Sequence, residues 1–104
     1  MDTRYGTVAI VGVGLIGGSI GLALRERGLA DEVVGIGRQT SRLDVARELG
    51  AITHATTDLA KGVAQADVVV VCTPVGKVAE FVRAVAKASK PRTIITDADR
   101  CANA

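Results

Sequence analysis

The stretch VAIVGVGLIGGSIGLAL, residues Val8 to Leu24, decides the fold. Its apolar run leads directly into three glycines, Gly12, Gly14 and Gly17, and a segment with helical patterning follows them. A second β-branched run ends roughly 20 residues after the glycines. This order of strand, glycine turn, helix and second strand is typical of a turn that holds the pyrophosphate of a dinucleotide. The alternative is a glycine-rich turn that holds no ligand.

Each glycine of this turn has its own expected role. Gly12 permits the tight turn, Gly14 lets the backbone approach a pyrophosphate, and Gly17 lets the helix pack closely on the strand. The free amides near Leu15 and Ile16 then face the phosphates at the positive end of the helix dipole. These five residues are the predicted pyrophosphate site.

Length and composition limit the remaining possibilities. The 104 residues are predicted to form one dinucleotide-binding domain, 1–104, with 48% hydrophobic and 23% charged residues. No apolar run reaches the ~20 residues that cross a bilayer, so no membrane contact is predicted and the expected location is the cytoplasm. A net charge of +2, with Tyr5 and Phe81 as the aromatic residues, argues against nucleic-acid binding. Cys72 and Cys101 lie too far apart for a metal or redox pair, and no metal site is predicted.

Short β-branched runs alternate with helical segments along the chain. The runs predicted to be strands are Thr7–Val11, Glu32–Ile36, Ile52–His54, Val68–Cys72 and Thr93–Thr96. Runs such as DVVVVC show no alternation of polar and apolar residues, which is typical of strands buried on both faces of a parallel sheet. Right-handed crossovers then predict an α/β fold, a doubly wound Rossmann-type sheet of about five strands in the order 3-2-1-4-5.

Helix signals fill the intervals between the strands. The first helix is predicted from Gly17 to Arg27, with Gly28 as its C-terminal stop. The second is predicted to use Ser41 as its N-cap, with Asp44 completing a capping pair. The residues predicted to line its buried face are Leu43, Ala46 and Leu49.

The last two helices are placed by their N-terminal signals. A short third helix is predicted to start near Asp58. The fourth is predicted to have Thr73 as its cap and Pro74 at its first helical position. Thr73 and Pro74 also close the fourth strand at the carboxyl edge of the sheet, where ligands of such sheets bind. They are therefore candidates for the ribose and nicotinamide path of a cofactor, and helix initiation alone is the alternative.

The end of the second strand bears on which dinucleotide binds. An NAD site normally carries Asp or Glu there to bind the ribose hydroxyls. The segment GIGRQTSR has no carboxylate near Gly37, and Arg38 follows directly. A guanidinium can bind a 2′-phosphate bidentately, while Thr40 and Ser41 add hydroxyls and Arg42 a second positive charge. The sequence therefore predicts NADP in preference to NAD. The alternative is that Arg38 and Arg42 are solvated surface charges.

The final predicted strand, within RTIIT at residues 92–96, lies at an open edge if the sheet has five strands. Proteins usually cover such an edge. We therefore expect a second copy or another partner to cover it, or the chain to be cut from a longer one.

Three segments carry a resemblance to a known family: VAIVGVGLIGGSIGLALRERG, ADVVVVCTPVGKV and IITDA. Together they resemble the N-terminal nucleotide-binding domain of the prephenate and arogenate dehydrogenases of tyrosine biosynthesis, from about Thr7 to Ala98. The segment GIGRQTS also resembles the NADP-using arogenate members. The resemblance implies an oxidoreductase that removes a hydride from a cyclohexadiene ring as carbon dioxide leaves. The cofactor-binding positions it implies are Gly12, Gly14, Leu15, Ile16, Gly17, Arg38, Thr73 and Pro74.

The chain departs from the family after TDA. Members usually continue with Gly-Ser-x-Lys and later Gly-Gly-His-Pro, which brings the catalytic histidine, whereas this chain reads DRCANA. His54 precedes the fourth strand and is no substitute, so no catalytic residue is predicted here. The C-terminal helical domain that dimerises and completes the substrate pocket is also expected to be absent. A small-molecule substrate is therefore expected only with that domain, and the isolated chain is expected to have little turnover.

Two other functions remain open from the sequence. A β-hydroxyacid dehydrogenase or an imine reductase begins with a similar fold and would act on another substrate. A module that binds a nucleotide without chemistry would also need no catalytic acid or base.

Overall fold

The computed structural model describes residues 6–12, 15–72 and 78–97. Strands and helices alternate through these ranges. The strands are β1 (Thr7–Val11), β2 (Glu32–Ile36), β3 (His54–Thr56), β4 (Val68–Val71) and β5 (Ile94–Asp97). The helices are α1 (Leu15–Glu26), α2 (Thr40–Glu48), α3 (Leu59–Val63) and α4 (Val78–Ala88).

The five strands form one parallel sheet in the order β3-β2-β1-β4-β5, which confirms the predicted topology. Val11, the last residue of β1, pairs with Ile36 of β2 on one side and with Val71 of β4 on the other. The carboxyl ends of these three strands therefore lie side by side. The chain adds β2 and β3 on one side of β1 and then adds β4 and β5 on the other side. The strand order therefore reverses between β1 and β4.

Each face of the sheet has its own apolar core. On one face Val8, Ile10 and Val33 are buried together with Leu43 and Ala46 of α2, and α1 packs against them. The buried residues of the other face are Ala9, Val11, Ile36, Val63, Ala66, Val69, Val71 and Val85, which places α3 and α4 there. The central strands are thus buried on both faces, as their unbroken apolar runs predict.

The helix limits differ from the prediction at two points. Helix α1 begins at Leu15, two residues before the predicted Gly17, and ends at Glu26. The prediction that Ser41 caps α2 is wrong, because Gln39 occupies the N-cap and the Leu43 amide already donates to the Gln39 carbonyl at 3.3 Å. Ser41 therefore lies inside the first turn. Asp58 does cap α3, since its carboxylate accepts a hydrogen bond from the Lys61 amide at 3.2 Å.

The prediction that Leu49 lines the buried face of α2 is also wrong. Leu49 lies at the C-cap and its side chain is 66% exposed. Six residues after Leu43, a helix has turned about 120° away from the direction of Leu43. Leu43 and Ala46, three residues apart, are the pair that is buried, at 2% and 6% exposure.

The limits of three strands also differ from the prediction. β3 spans His54–Thr56 rather than Ile52–His54, because pairing with β2 begins where His54 meets Val34. Ile52 is buried but lies before the strand. β4 ends at Val71 rather than Cys72, and β5 is shifted by one residue to Ile94–Asp97.

The amino edge of the sheet is held by a polar cluster around Asp67. Its carboxylate accepts a hydrogen bond from the Thr7 amide at 3.0 Å and pairs with the Lys90 ammonium at 2.8 Å. The hydrogen bond from the Lys90 ammonium lowers the pKa of Asp67 most, and the hydrogen bond from the Thr7 amide lowers it next. Together they hold this pKa below its ordinary value. The cluster joins the start of β1 to the residues before β4 and β5.

Helix lengths bear on membrane contact. Within the described ranges, no helix has both the length and the apolar character needed to span a bilayer.

Candidate functional site

The glycine turn after β1 lies where the strand order reverses. Gly12 has a φ of 89°, a left-handed conformation that glycine adopts without steric cost. Its amide donates to the carbonyl of Ile36 at 2.8 Å, and the amide of Cys72 donates to the carbonyl of Val11 at 2.8 Å. Gly12, the first residue of the turn, is therefore held between the carboxyl ends of β2 and β4, at the position where open α/β sheets bind ligands.

Gly17 is the point of contact between α1 and the turn. A β-carbon at Gly17 would lie 2.7 Å from the carbonyl oxygen of Gly12 and 3.1 Å from Cγ2 of Ile10. No real side chain fits at the shorter distance, so the helix approaches the strand closely only because residue 17 is glycine. Gly12 thus has the left-handed backbone that its predicted role in the tight turn requires. Gly17 makes the close packing predicted for it.

The first turn of α1 presents main-chain amides at this edge. The helix begins at Leu15, and Ile16 and Gly17 follow in its first turn. The first amides of a helix have no intrahelical partner and lie at the positive end of its dipole. No acidic residue lies in this turn to offset that potential. The arrangement suits an anion such as a pyrophosphate.

The end of β2 places Arg38 beside a second helix N-terminus. The amide of Gly37 donates to the carbonyl of Thr56 at 3.3 Å, which ties this end to β3. Arg38, Thr40 and Ser41 are exposed. Gln39 makes no side-chain hydrogen bond to the first turn of α2, and that turn contains no acidic residue. The sequence does not indicate Gln39 as the N-cap, because glutamine is not among the residues that favour this position.

Not every predicted site residue can be placed. Gly14, Thr73 and Pro74 lie outside the described residues. Leu15 and Ile16 are placed as part of the backbone of α1. Cys72, the last described residue before Thr73, is half-buried beside the end of β1.

The other chemically active side chains lie away from this edge or serve the fold. His54 contacts Glu32 at 3.5 Å, with both side chains more than half exposed. Asp58 caps α3, as described above. Among the residues that the structure describes, no cluster of three or more His, Cys, Asp or Glu side chains is arranged to hold a metal ion.

Comparison with known proteins points to one family. A family model of the prephenate dehydrogenase nucleotide-binding domain matches residues 20–100, which include Arg38 and begin after the glycine turn. Prephenate dehydrogenase of Bacillus subtilis strain 168 is 33% identical over 75 residues, which is 72% of this chain and 20% of that protein.

Two solved structures resemble the chain closely in shape. The crystal structure of Synechocystis arogenate dehydrogenase has a TM-score of 0.80 and 31% identity, and the match covers 88% of this chain and 32% of that one. Prephenate dehydrogenase from A. aeolicus, in complex with hydroxyphenyl propionate and NAD+, has a TM-score of 0.80 and 27% identity over the same shares. The chain thus spans about a third of these solved relatives and about a fifth of the Bacillus protein.

Proposed function

The chain belongs to the family of the prephenate dehydrogenase nucleotide-binding domain, and from this premise we propose that it binds NADP, in preference to NAD, at the carboxyl edge of its sheet. The observation that carries the proposal is the position of Arg38 two residues after the end of β2, beside a first turn of α2 that has no acidic residue. A 2′-phosphate is the group that distinguishes NADP from NAD. Positive charge at this point attracts it, whereas the carboxylate typical of NAD sites would repel it.

The glycine turn supports a pyrophosphate site. We assign the pyrophosphate to the amides of Leu15, Ile16 and Gly17, with Gly12 and Gly14 allowing the backbone to come close. The left-handed φ of Gly12 and the close contact between Gly17 and Gly12 support this assignment, since they hold the first turn of α1 against the end of β1 at the edge where such sheets bind ligands. Amides at a helix start then supply hydrogen-bond donors without any charged side chain.

The adenosine end is assigned to Arg38, Thr40 and Ser41. All three are exposed, so their donors are accessible to a ligand. A guanidinium bound to a phosphate makes two parallel hydrogen bonds, which a hydroxyl in the same place cannot replace. Thr73 and Pro74 are proposed for the ribose and nicotinamide path because they follow β4 in the chain, and the carboxyl end of β4 lies at the same edge.

The reaction itself belongs to a longer protein in this proposal. A bound nicotinamide supplies a hydride acceptor, and the family resemblance implies oxidative decarboxylation of prephenate or arogenate in the cytoplasm, within tyrosine biosynthesis. This chain would bind and orient the cofactor. The catalytic histidine would come from a Gly-Gly-His-Pro stretch further along such a protein, and a helical domain would complete the substrate pocket. The chain spans about a third of the two solved relatives.

A module that binds the dinucleotide without chemistry is the second candidate. Two observations at the described part of the carboxyl edge favour this candidate, because neither residue is placed there as a catalytic acid or base. The carboxylate of Asp58 caps α3, and the first charged residue after β2 is Arg38. An assay for turnover with prephenate and with arogenate, after joining the chain to the whole downstream segment of a relative, including its Gly-Gly-His-Pro stretch and helical domain, separates the two. Turnover supports the enzyme, and cofactor binding without turnover supports the module.

Calorimetric titration of the 104-residue chain with NADP and with NAD tests the proposed preference. Arg38→Ala is expected to weaken NADP binding by about 10- to 100-fold, the loss expected for a charge-assisted hydrogen-bond pair, and to leave NAD binding nearly unchanged. Arg47→Ala is the matched control, because Arg47 lies in the last turn of α2, at the opposite end of the helix. Equal weakening of both cofactors by Arg38→Ala, or tighter binding of NAD by the unmodified chain, would contradict the proposal.

A further inference from the structure

The outer strand β5 presents main-chain groups to an open edge of the sheet. Ile94 is in register with Val68, and its amide donates to the carbonyl of Asp67 at 3.0 Å. The hydrogen-bonding groups of successive strand residues point to opposite edges of the strand, so those of Ile94 and Thr96 face β4. Those of Ile95 face away from β4, where no other strand of the described residues pairs with them.

The two faces of β5 are covered unequally. Ile95 packs against the core that contains Val85 of α4. Ile94 lies on the opposite face and is 60% exposed, and Thr96, on the same face as Ile94, is also exposed. A single exposed apolar side chain is ordinary on a protein surface. Ile94 differs because the edge of its strand is also unpaired among the described residues, and this combination favours strand pairing with another chain.

We propose that β5 pairs with β5 of a second copy of this chain, antiparallel and about a two-fold axis at Ile95, so that two sheets join into one. The two copies of Ile95 then exchange both main-chain hydrogen bonds across the axis. Each Ile94 lies directly opposite Thr96 of the second copy on one face, where β-branched side chains pack favourably. A contact of this symmetry closes after two copies and does not extend into a fibre.

The exposed isoleucine selects this register. With the axis at Ile95, three residues of β5, Ile94 to Thr96, lie opposite residues of β5 in the second copy. An axis at Thr96 would set Ile94 opposite residue 98, beyond the end of β5, and an axis at Ile94 would set Ile95 opposite Thr93, before its start. The axis at Ile95 is therefore the one that pairs Ile94 and also uses the outward main-chain groups of Ile95.

Charge at the two ends of β5 favours an antiparallel second copy as the partner. The exposed Arg92 lies just before the strand, and the acidic residue Asp97 ends it. The backbone of Arg92 has a φ of 71°, which glycine adopts at lower cost, so the chain carries an arginine here against its conformational preference. Antiparallel pairing brings the positive start of each strand to the negative end of the other. Parallel pairing would instead set like charges side by side, which is unfavourable.

The proposed pairing leaves the carboxyl edge of each sheet open. The axis lies at β5, and β4 separates β5 from β1, which the glycine turn follows. A two-fold axis that makes the strands antiparallel also turns the two carboxyl edges in opposite directions. The pairing is therefore independent of the proposed function, and a dinucleotide is expected to leave it unchanged.

Cysteine cross-linking of the 104-residue chain under mild oxidation tests the pairing and its register. Both natural cysteines are first changed to serine, and Ile94→Cys, Thr96→Cys or Leu49→Cys is then introduced, with folding checked by circular dichroism. Residues directly opposite each other have Cα atoms about 4.5 Å apart, within reach of a disulfide, whereas diagonal neighbours are about 7–8 Å apart and beyond it. Leu49→Cys, on an exposed residue away from β5, measures random collision.

A mixture of Ile94→Cys and Thr96→Cys chains, one of them mass-labelled, is expected to form mixed disulfides about 10-fold faster or more than either variant alone, because only the mixture places cysteines directly opposite each other. Faster cross-linking of either variant alone would indicate a parallel pairing or another axis and overturns the proposal. A mixture that cross-links no faster than Leu49→Cys overturns it too. Sedimentation of the unmodified chain needs no variant, and a monomer at every concentration is a third contradicting result. Failure to bind NADP, with the mixed disulfide formed, overturns the proposed function alone.

Discussion

Gly17 approaches Gly12 so closely that a β-carbon at residue 17 would lie 2.7 Å from the Gly12 carbonyl oxygen. The contact joins the first turn of α1 to the turn that follows β1, and it fixes the position of the helix N-terminus at the carboxyl edge of the sheet. The neighbouring Gly18 differs, because a β-carbon there would meet no described atom within 4 Å. Two adjacent glycines in one helix therefore have opposite structural requirements.

Alanine substitutions at these two positions are predicted to change stability in opposite directions. Gly17→Ala is expected to lower the free energy of unfolding by about 1–3 kcal/mol, the usual cost of overpacking, because the backbone of Gly12 must move. Gly18→Ala is expected to raise it by about 0.5–1 kcal/mol, because alanine is the better helix former and the space is open. Urea unfolding of the chain without cofactor measures both. Destabilisation of equal size at the two positions would contradict the close approach at Gly17.

The sheet and its order follow from sequence because their signals are local and redundant. Val68 to Val71 form an unbroken apolar run, and such runs require burial on both faces and hence helices on both sides. Once four crossovers of one hand are assumed, the strand order has few alternatives. The limits of β1 and β2 were also predicted correctly, since Gly12 and Gly37 mark where the β-branched residues stop.

The errors arose where tertiary contacts override a local signal. Ile52 has the character of a strand residue, but it is buried before β3 begins, and the neighbouring Thr53 hydroxyl bonds to Val33 at 3.0 Å. The pair Ser41 and Asp44 has the spacing of a helix start, yet α2 starts earlier, at Thr40. The contact between Thr53 and Val33 joins residues 20 positions apart, so a local pattern could not reveal it.

The sequence predicts which residues belong to the site, and the structure shows how close the strands that carry them lie. The sequence placed Gly12 and Arg38 at the ends of two separate strands. The hydrogen bond from the Gly12 amide to the Ile36 carbonyl brings those strand ends together. Spacing alone does not show that the packing requires glycine at residue 17 but not at residue 37.

The Asp67 cluster predicts a loss of stability in acid. Because the Lys90 ammonium and the Thr7 amide stabilise the carboxylate, the pKa of Asp67 is lower in the folded chain than its ordinary value of 3.8. The contribution to stability is therefore complete above that value and is lost as the pH falls through the lower folded pKa. We expect the melting temperature of the unmodified chain to fall between neutral pH and this acidic range more steeply than that of Asp67→Asn.

Asp44→Asn is the matched control for this measurement, because Asp44 is an exposed carboxylate on α2. It is expected to retain the acid-induced loss. Added salt should reduce the contribution of Asp67 to stability, because its side chain is 44% exposed and its attraction to Lys90 is therefore partly screened. Identical pH profiles for the unmodified chain and Asp67→Asn would show that the cluster contributes nothing measurable.

The position of β5 predicts self-association, because among the described residues it is the outer strand of the sheet. β5 is the last strand in the sheet order, and Ile94 on it is 60% exposed. An edge strand offers unpaired main-chain donors and acceptors to another chain. We expect sedimentation to show concentration-dependent association that Ile94→Lys reduces, because an edge lysine disfavours strand pairing.

Leu49→Lys controls for the loss of an exposed apolar side chain, since Leu49 is 66% exposed but lies at the end of α2. It is expected to leave the association unchanged. A chain that remains monomeric at every concentration, or an equal effect of the two lysine variants, would refute the role of the β5 edge.

An NMR titration of the isotopically labelled chain with NADP, following the main-chain amides, tests most directly whether a dinucleotide binds in the glycine turn. If it does, the largest shifts fall at Gly12, Gly17, Gly37 and Arg38, along the carboxyl edge, while the amides of Asp67 and Lys90 at the opposite edge stay unchanged. NAD at the same concentration should shift Gly12 and Gly17 but affect Arg38 less. Shifts centred on the amino edge, or none at either glycine, would contradict a dinucleotide site in this turn.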